Sequence, residues 1–90
     1  MANKGKKTIL KIMYGKRCML CGEKKKDEEL TFHHIKPKSY GGVASVENGA
    51  LLCRKCQENI HEHEFLSSMY FDLTLVILSN KEKFALERKD

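Results

Sequence analysis

Residues 33–61 read HHIKPKSYGGVASVENGALLCRKCQENIH, and the fold turns on how this stretch is parsed. Two adjacent histidines, His33 and His34, end a run with Thr31 and Phe32, so Leu30–Ile35 is expected to be a strand. Pro37, Ser39, Gly41, Gly42 and Ser45 then predict a loop over Lys36–Asn48. Gly49–Cys53 is expected to form a short second strand, and Arg54–Ser67 a helix that carries His61. The predicted order is strand, loop, strand, helix.

Working outward, two cysteine pairs bracket the unit: Cys18-x-x-Cys21 before it and Cys53-x-x-Cys56 in its second half. Two thiolates separated by two residues can bend back onto one cation, and a second such pair completes a tetrahedron. Gly22 is placed to turn the chain tightly around that ion. In a reducing compartment this pattern favours zinc, whereas in a secreted chain two disulfides would be the default reading. The interval from Cys21 to Cys53 is longer than in a compact zinc ribbon, so something folded lies between the knuckles. That something is the histidine unit. A closed four-thiolate site leaves no position for substrate, so zinc bound by Cys18, Cys21, Cys53 and Cys56 is expected to be structural.

Ninety residues make one domain, with a core small enough that a metal staple matters. The formal charge is +5, from 17 basic and 12 acidic residues. Lys4, Lys6, Lys7, Lys11, Lys16 and Arg17 precede the first cysteine, and Lys24, Lys25 and Lys26 follow the second. Such a balance fits a polyanionic partner, and it fits a solvated surface equally well. Residues 1–14 lack the apolar core of a secretory leader, and Leu73–Leu78 is too short to span a bilayer. An intracellular protein without a membrane anchor is expected.

Taken together, His33-His34-Ile35-x-Pro37, Gly41-Gly42, Asn48, His61 and the bracketing cysteine pairs resemble the HNH nuclease family over about residues 14–64. The resemblance implies a small α+β fold: a ββα-metal core with zinc-ribbon-like knuckles and a C-terminal helical segment. It divides the single domain of residues 1–90 into a core, 14–64, and an extension, 65–90. It also implies a metal-dependent endonuclease hydrolysing phosphodiester bonds, most readily those of DNA. By the same resemblance His33 and His61 bind one catalytic divalent cation (Mg²⁺, Mn²⁺, Ni²⁺ or Zn²⁺). His34 is the general base, and Asn48 orders the loop and helps orient that base. Neighbours in a strand face opposite ways, which agrees with different duties for His33 and His34.

Gln57 departs from the family, whose members with paired cysteines commonly carry histidine directly after the last cysteine. Gln57 and His61 have the i, i+4 spacing of one helix face, and an amide oxygen is a weaker ligand than imidazole. Gln57 is therefore the expected third ligand. The alternative is a catalytically silent zinc-containing module that binds nucleic acid or a protein partner. His63, two residues beyond His61, is expected to face away from it on a helix. Lys36, Lys38, Arg54 and Lys55 are candidates to hold flanking phosphates, with plain solvation as the competing reading for each. Tyr40 has two readings, base stacking and loop packing, the second favoured.

At the ends, Thr8–Tyr14 suits a short helix stopped by Gly15. Beyond the core, Phe65–Leu86 has too many apolar residues for one amphipathic stripe. It is read as a helix that either packs over the small core or offers a homodimer or partner surface.

Overall fold

A computed structural model describes residues 4–87 of the chain. Residues 1–3 and 88–90, which belong to the leader and single-domain readings, lie outside the described residues. The elements in order are α1 (Lys4–Tyr14), β1 (Leu30–His34), β2 (Gly49–Cys53), α2 (Arg54–His61) and α3 (Ser68–Glu87). Short 3-10 turns occupy Asp27–Glu29 and Lys38–Tyr40. The fold is a small α+β one, with β1, β2 and α2 forming a ββα unit at its centre.

β1 and β2 pair antiparallel, from Leu30 opposite Cys53 to His34 opposite Gly49. This register sets the histidines at one end of the ribbon and a zinc-site cysteine at the other. β2 is buried along its whole length. The knuckle lies along the edge of β2 that faces away from β1: the Met19 amide donates to the Leu51 carbonyl at 2.8 Å. Leu10 of α1, Ile60 of α2 and Tyr70, Ile77 and Phe84 of α3 complete the core around Leu51 and Leu52. Fully burying a Leu or Ile side chain is worth roughly 1.5–3 kcal/mol, so this cluster carries much of the fold.

Four elements differ in their boundaries from the sequence expectation, α3 among them, which runs over Ser68–Glu87 rather than Phe65–Leu86. α1 begins at Lys4, before the expected Thr8. β1 ends at His34, one residue early. α2 ends at His61, not Ser67. Beyond it the Glu62 amide reaches the Asn59 carbonyl and His63 reaches Ile60, both three-residue bonds that tighten and close the helix. Glu58, Glu62 and Glu64 crowd its C-terminal end, where the helix dipole disfavours carboxylates. Leu66, at φ +73°, then turns the chain.

α3 is one 20-residue helix. Its buried side chains are Tyr70, Ile77, Lys81 and Phe84, at helical spacing along one face, with a lysine among them. Phe71, Leu75, Val76 and Leu78 remain exposed, which is why no single apolar stripe could be drawn from the sequence. The helix braces the core through polar contacts as well. Asn80 Nδ2 donates to the Met19 carbonyl at 2.8 Å, and the Tyr70 hydroxyl donates to the Ile35 carbonyl at 3.1 Å. Lys81 Nζ donates to the carbonyls of Val46, Glu47 and Gly49 at 3.1, 3.2 and 2.8 Å. Among the described residues no helix is long and apolar enough to cross a membrane.

Candidate metal centres and histidine cleft

The cysteine site is assembled by two turns. In the first, the amides of Leu20 and Cys21 both point at Cys18 Sγ, 3.4 Å away. Gly22, at φ +80°, bends the chain so that its own amide meets the Cys18 carbonyl at 2.9 Å. In the second, Cys53 ends β2 and starts α2, and Cys56 follows one turn later. The four sulfurs lie within 4.8 Å of one another. Zn–S bonds of about 2.3 Å put the sulfurs of a tetrahedron about 3.8 Å apart, so the four cysteines fit a metal ion such as zinc.

The thiols show what crowding does to four sulfurs. Burial pushes Cys18 up, but the amides of Cys21, Cys53 and Leu20 outweigh it and bring Cys18 down to about 7. Burial and the neighbouring sulfurs push Cys21 and Cys56 upward. The thiolate is thus favoured at Cys18 and disfavoured at Cys21 and Cys56, and a bound cation would reverse the latter by stabilising their charge.

The histidine cleft lies at the opposite end of the ribbon. Alternation along β1 turns His33 inward, where it is 2% exposed, and puts His34 on the face of Phe32. The His34 ring meets Phe32 edge-on at 5.2 Å. The His33 ring lies 5.8 Å from that of His61, on the last turn of α2. Gln57, one turn earlier, donates from Nε2 to the Phe32 carbonyl at 3.4 Å, a long bond that fixes which way the amide faces.

Several buried polar atoms here have no hydrogen-bond partner: both ring nitrogens of His33, Nε2 of His34 and Oε1 of Gln57. Each such atom ordinarily costs about 1–3 kcal/mol, so a cluster of them at one place asks for a ligand. Burial, helped by the adjacent His61, depresses His33 to about 4, against the Gln57 side chain, which lies near enough to favour the charged ring without meeting hydrogen-bond geometry. His33 is therefore a neutral imidazole at pH 7, the form that binds metal. Two imidazoles and an amide oxygen are a donor set that fits a divalent cation. Among the described residues the cysteines are the only close group of three or more Cys, His, Asp or Glu donors. Among the described residues no third Cys, His, Asp or Glu donor joins His33 and His61, and the Gln57 amide lies one turn from His61 on the same helix.

Asn48 sits in the loop, not in the cleft. Its side chain accepts from the Lys36 amide at 2.8 Å and donates to the carbonyls of Lys36 and Val43 at 3.0 and 2.9 Å. Its backbone carbonyl accepts from Ile35 at 2.8 Å. These bonds close the loop onto the end of β1, one residue beyond His34. Gly42 makes the closure feasible, since a Cβ there would collide with the Lys36 carbonyl. Asn48 orders the segment next to His34 and has no hydrogen bond to its ring.

The cleft itself measures about 490 Å³. Its polar lining includes His34, Lys38, Gln57, His61 and His63, and its aromatic lining Phe32, Tyr40, Phe65 and Tyr70. Of the four candidate phosphate holders, only Lys38 lines it. Lys55 borders the cysteine site, and Arg54 reaches the Glu28 carbonyl at 3.4 Å. Lys36 contributes its backbone to the Asn48 network. His63 corrects the expectation made for it: it follows the end of α2, so helical spacing does not apply, and it is half-buried on the cleft. Tyr40 packs on Phe65 with ring centroids 4.7 Å apart, the favoured loop-packing reading, yet remains 57% exposed. Tyr70 was counted only among the apolar residues of the C-terminal segment, and Lys81 was not singled out in the sequence reading. Their signal was a tyrosine and a lysine in register with Ile77 and Phe84.

With this geometry in view, the HNH endonuclease family matches residues 18–63, just over half the chain and all of the ββα unit. The chain belongs to the HNH endonuclease family. No curated protein matches it significantly.

Proposed function

We propose that the protein is a metal-dependent HNH endonuclease that hydrolyses phosphodiester bonds in DNA. The observation that carries this reading is the meeting of unpaired His33 nitrogens, unpaired Gln57 Oε1 and the His61 ring beside His34. The His33 nitrogens and Gln57 Oε1 are costly to keep buried unless they hold something, and the exposed His61 ring lies beside them.

In this reading His33, Gln57 and His61 hold the catalytic ion, and the cysteine site holds the structural zinc. A divalent cation at the first position supplies Lewis-acid stabilisation of the charge that develops on the phosphate and the leaving oxygen. His34 takes the proton of the attacking water. Asn48 keeps the neighbouring loop in place, so that His34 does not drift from its strand position. Lys38 faces the flanking phosphate, and the positive balance of the chain favours approach of a polyanion.

A second reading has its own support. The Gln57 amide bond to Phe32 is a structural use of the side chain, as in a silent binding module that has given up the ion. Nicking of supercoiled plasmid decides between them, with Mg²⁺, Mn²⁺, Ni²⁺ or Zn²⁺ added in turn. Wild-type protein is expected to nick with at least one metal, and His34→Ala with none. If neither wild type nor Gln57→His nicks with any metal, the silent module is the correct reading.

A further inference from the structure

We propose that the cleft beside His33 and His34 receives an unpaired, unstacked base, so that the preferred substrate is DNA with a bulged or single-stranded nucleotide. The inference rests on the nuclease reading and names the form of its substrate.

The argument starts from the aromatic lining. Tyr40 packs on Phe65 at 4.7 Å, Phe65 meets Tyr70 edge-on at 5.4 Å, and Tyr70 lies 6.5 Å from His33. The series runs inward, from a largely exposed ring through a half-buried one to a buried one that ends on the histidine. Such a wall is more than core packing requires, because Tyr40 remains open to solvent and all three rings line the cleft. A flat π-face suits a nucleobase, and stacking on aromatic rings is worth about 1–3 kcal/mol per base. Paired bases in a duplex are covered on both faces by their neighbours, so only an unstacked base can use the wall. Because His34, His61 and Lys38 line the same cleft, a base held on the outer part of the wall brings its own phosphate towards them.

Leu66 is an independent observation. It has φ +73°, a conformation ordinary side chains avoid at a cost of order 1–3 kcal/mol, and its side chain is 74% exposed. It follows Phe65 directly, within a turn closed by the Ser67 amide on the Glu64 carbonyl at 3.0 Å. Glycine would fill that turn without strain. An exposed leucine held there, beside an aromatic cleft, has the character of a wedge that enters a gap in a base stack.

The test uses full-length His34→Ala protein, without added divalent cation, so that binding is read apart from cleavage. Oligonucleotide duplexes carry 2-aminopurine either fully paired or as a single-base bulge. The bulged probe is expected to bind about 10-fold more tightly, the equivalent of about 1.4 kcal/mol. Its fluorescence should be quenched on binding. Tyr40→Leu, at an exposed position that leaves the core alone, should remove the quenching and most of the preference. Leu66→Gly should reduce the preference while leaving Tm unchanged or higher, which loss of a structural residue would not do. Equal affinity for paired and bulged probes with no quenching overturns the proposal, and a full preference in Leu66→Gly overturns the part given to that residue. Plasmid nicking without any preference for the bulge refutes this inference alone. A preference without nicking by the wild type with any metal sustains the base-binding cleft and refutes the nuclease.

Discussion

Lys81 Nζ lies 2.8 Å from the carbonyl of Gly49, the residue paired with His34 across the ribbon. The same ammonium holds the carbonyls of Val46 and Glu47, so one side chain from outside the family match clamps both sides of Asn48. The histidine end of the fold is thereby tied to α3.

Lys81→Met should destabilise the protein by about 2 kcal/mol, because three carbonyls lose a charged donor. Denaturant melts measure this, and an unchanged midpoint would remove the clamp. Burial lowers the pKa of Lys81, against the pull of Glu47. A lysine whose folded pKa is depressed binds its proton less well when native, so stability rises with pH between the folded and unfolded values. Wild type should therefore gain stability relative to Lys81→Met as the pH rises towards the ordinary lysine value of about 10.4.

Removing one zinc ligand tests the other end. Reduced protein is expected to contain one zinc per chain, and Cys53→Ser should bind it poorly and melt far lower, since structural zinc binding is coupled to folding. Chelation of the wild type should have the same effect. Freshly purified reduced protein without zinc, yet folded, would contradict the assignment.

Gln57 and His34 separate ligand from base. Gln57→His should tighten binding of the second metal and raise nicking, and Gln57→Ala should lower both, because imidazole is the stronger donor. His34→Ala should abolish nicking and leave metal affinity nearly intact. Wild-type behaviour of Gln57→Ala in both metal titration and nicking would leave a two-histidine site completed by water.

Asn48→Ala removes three side-chain hydrogen bonds and should cost about 1–3 kcal/mol. Its signature should be local. Hydrogen exchange at the Lys36 amide should speed up, while amides within β2 remain protected. Uniform loss of protection would assign Asn48 to the global fold instead.

Affinity for duplex DNA should fall steeply with salt, since the chain is basic and phosphate contacts release counterions. The cations without an acidic partner are expected to carry most of that slope, because several others are already engaged. Lys11 and Lys16 pair with Asp27, and Arg17 with Glu87. Salt-independent binding would argue for a protein partner.

Local chemistry made the centre of the molecule legible in the sequence. The Cys-x-x-Cys spacing sets which sulfurs can share an ion, strand alternation separates His33 from His34, and Gly49–Cys53 forms a strand at the limits expected for it. The end of α2 was less legible. Arg54–Ser67 has no proline, and Leu66 does not announce a left-handed turn as glycine would.

By itself, then, the sequence determined the ligand types, their spacing and the ββα order, because these depend on contacts within a few residues of chain. Tertiary structure decided what those residues face. The unpaired Gln57 oxygen, the place of His63 on the cleft and the aromatic wall from Tyr40 to Tyr70 all depend on how α2 and α3 fold back on β1. So does Lys81, whose charge marks it as a surface residue until three carbonyls from residues more than thirty positions earlier supply its hydrogen bonds. Long-range packing assigns such partners, and no periodicity in the chain encodes them.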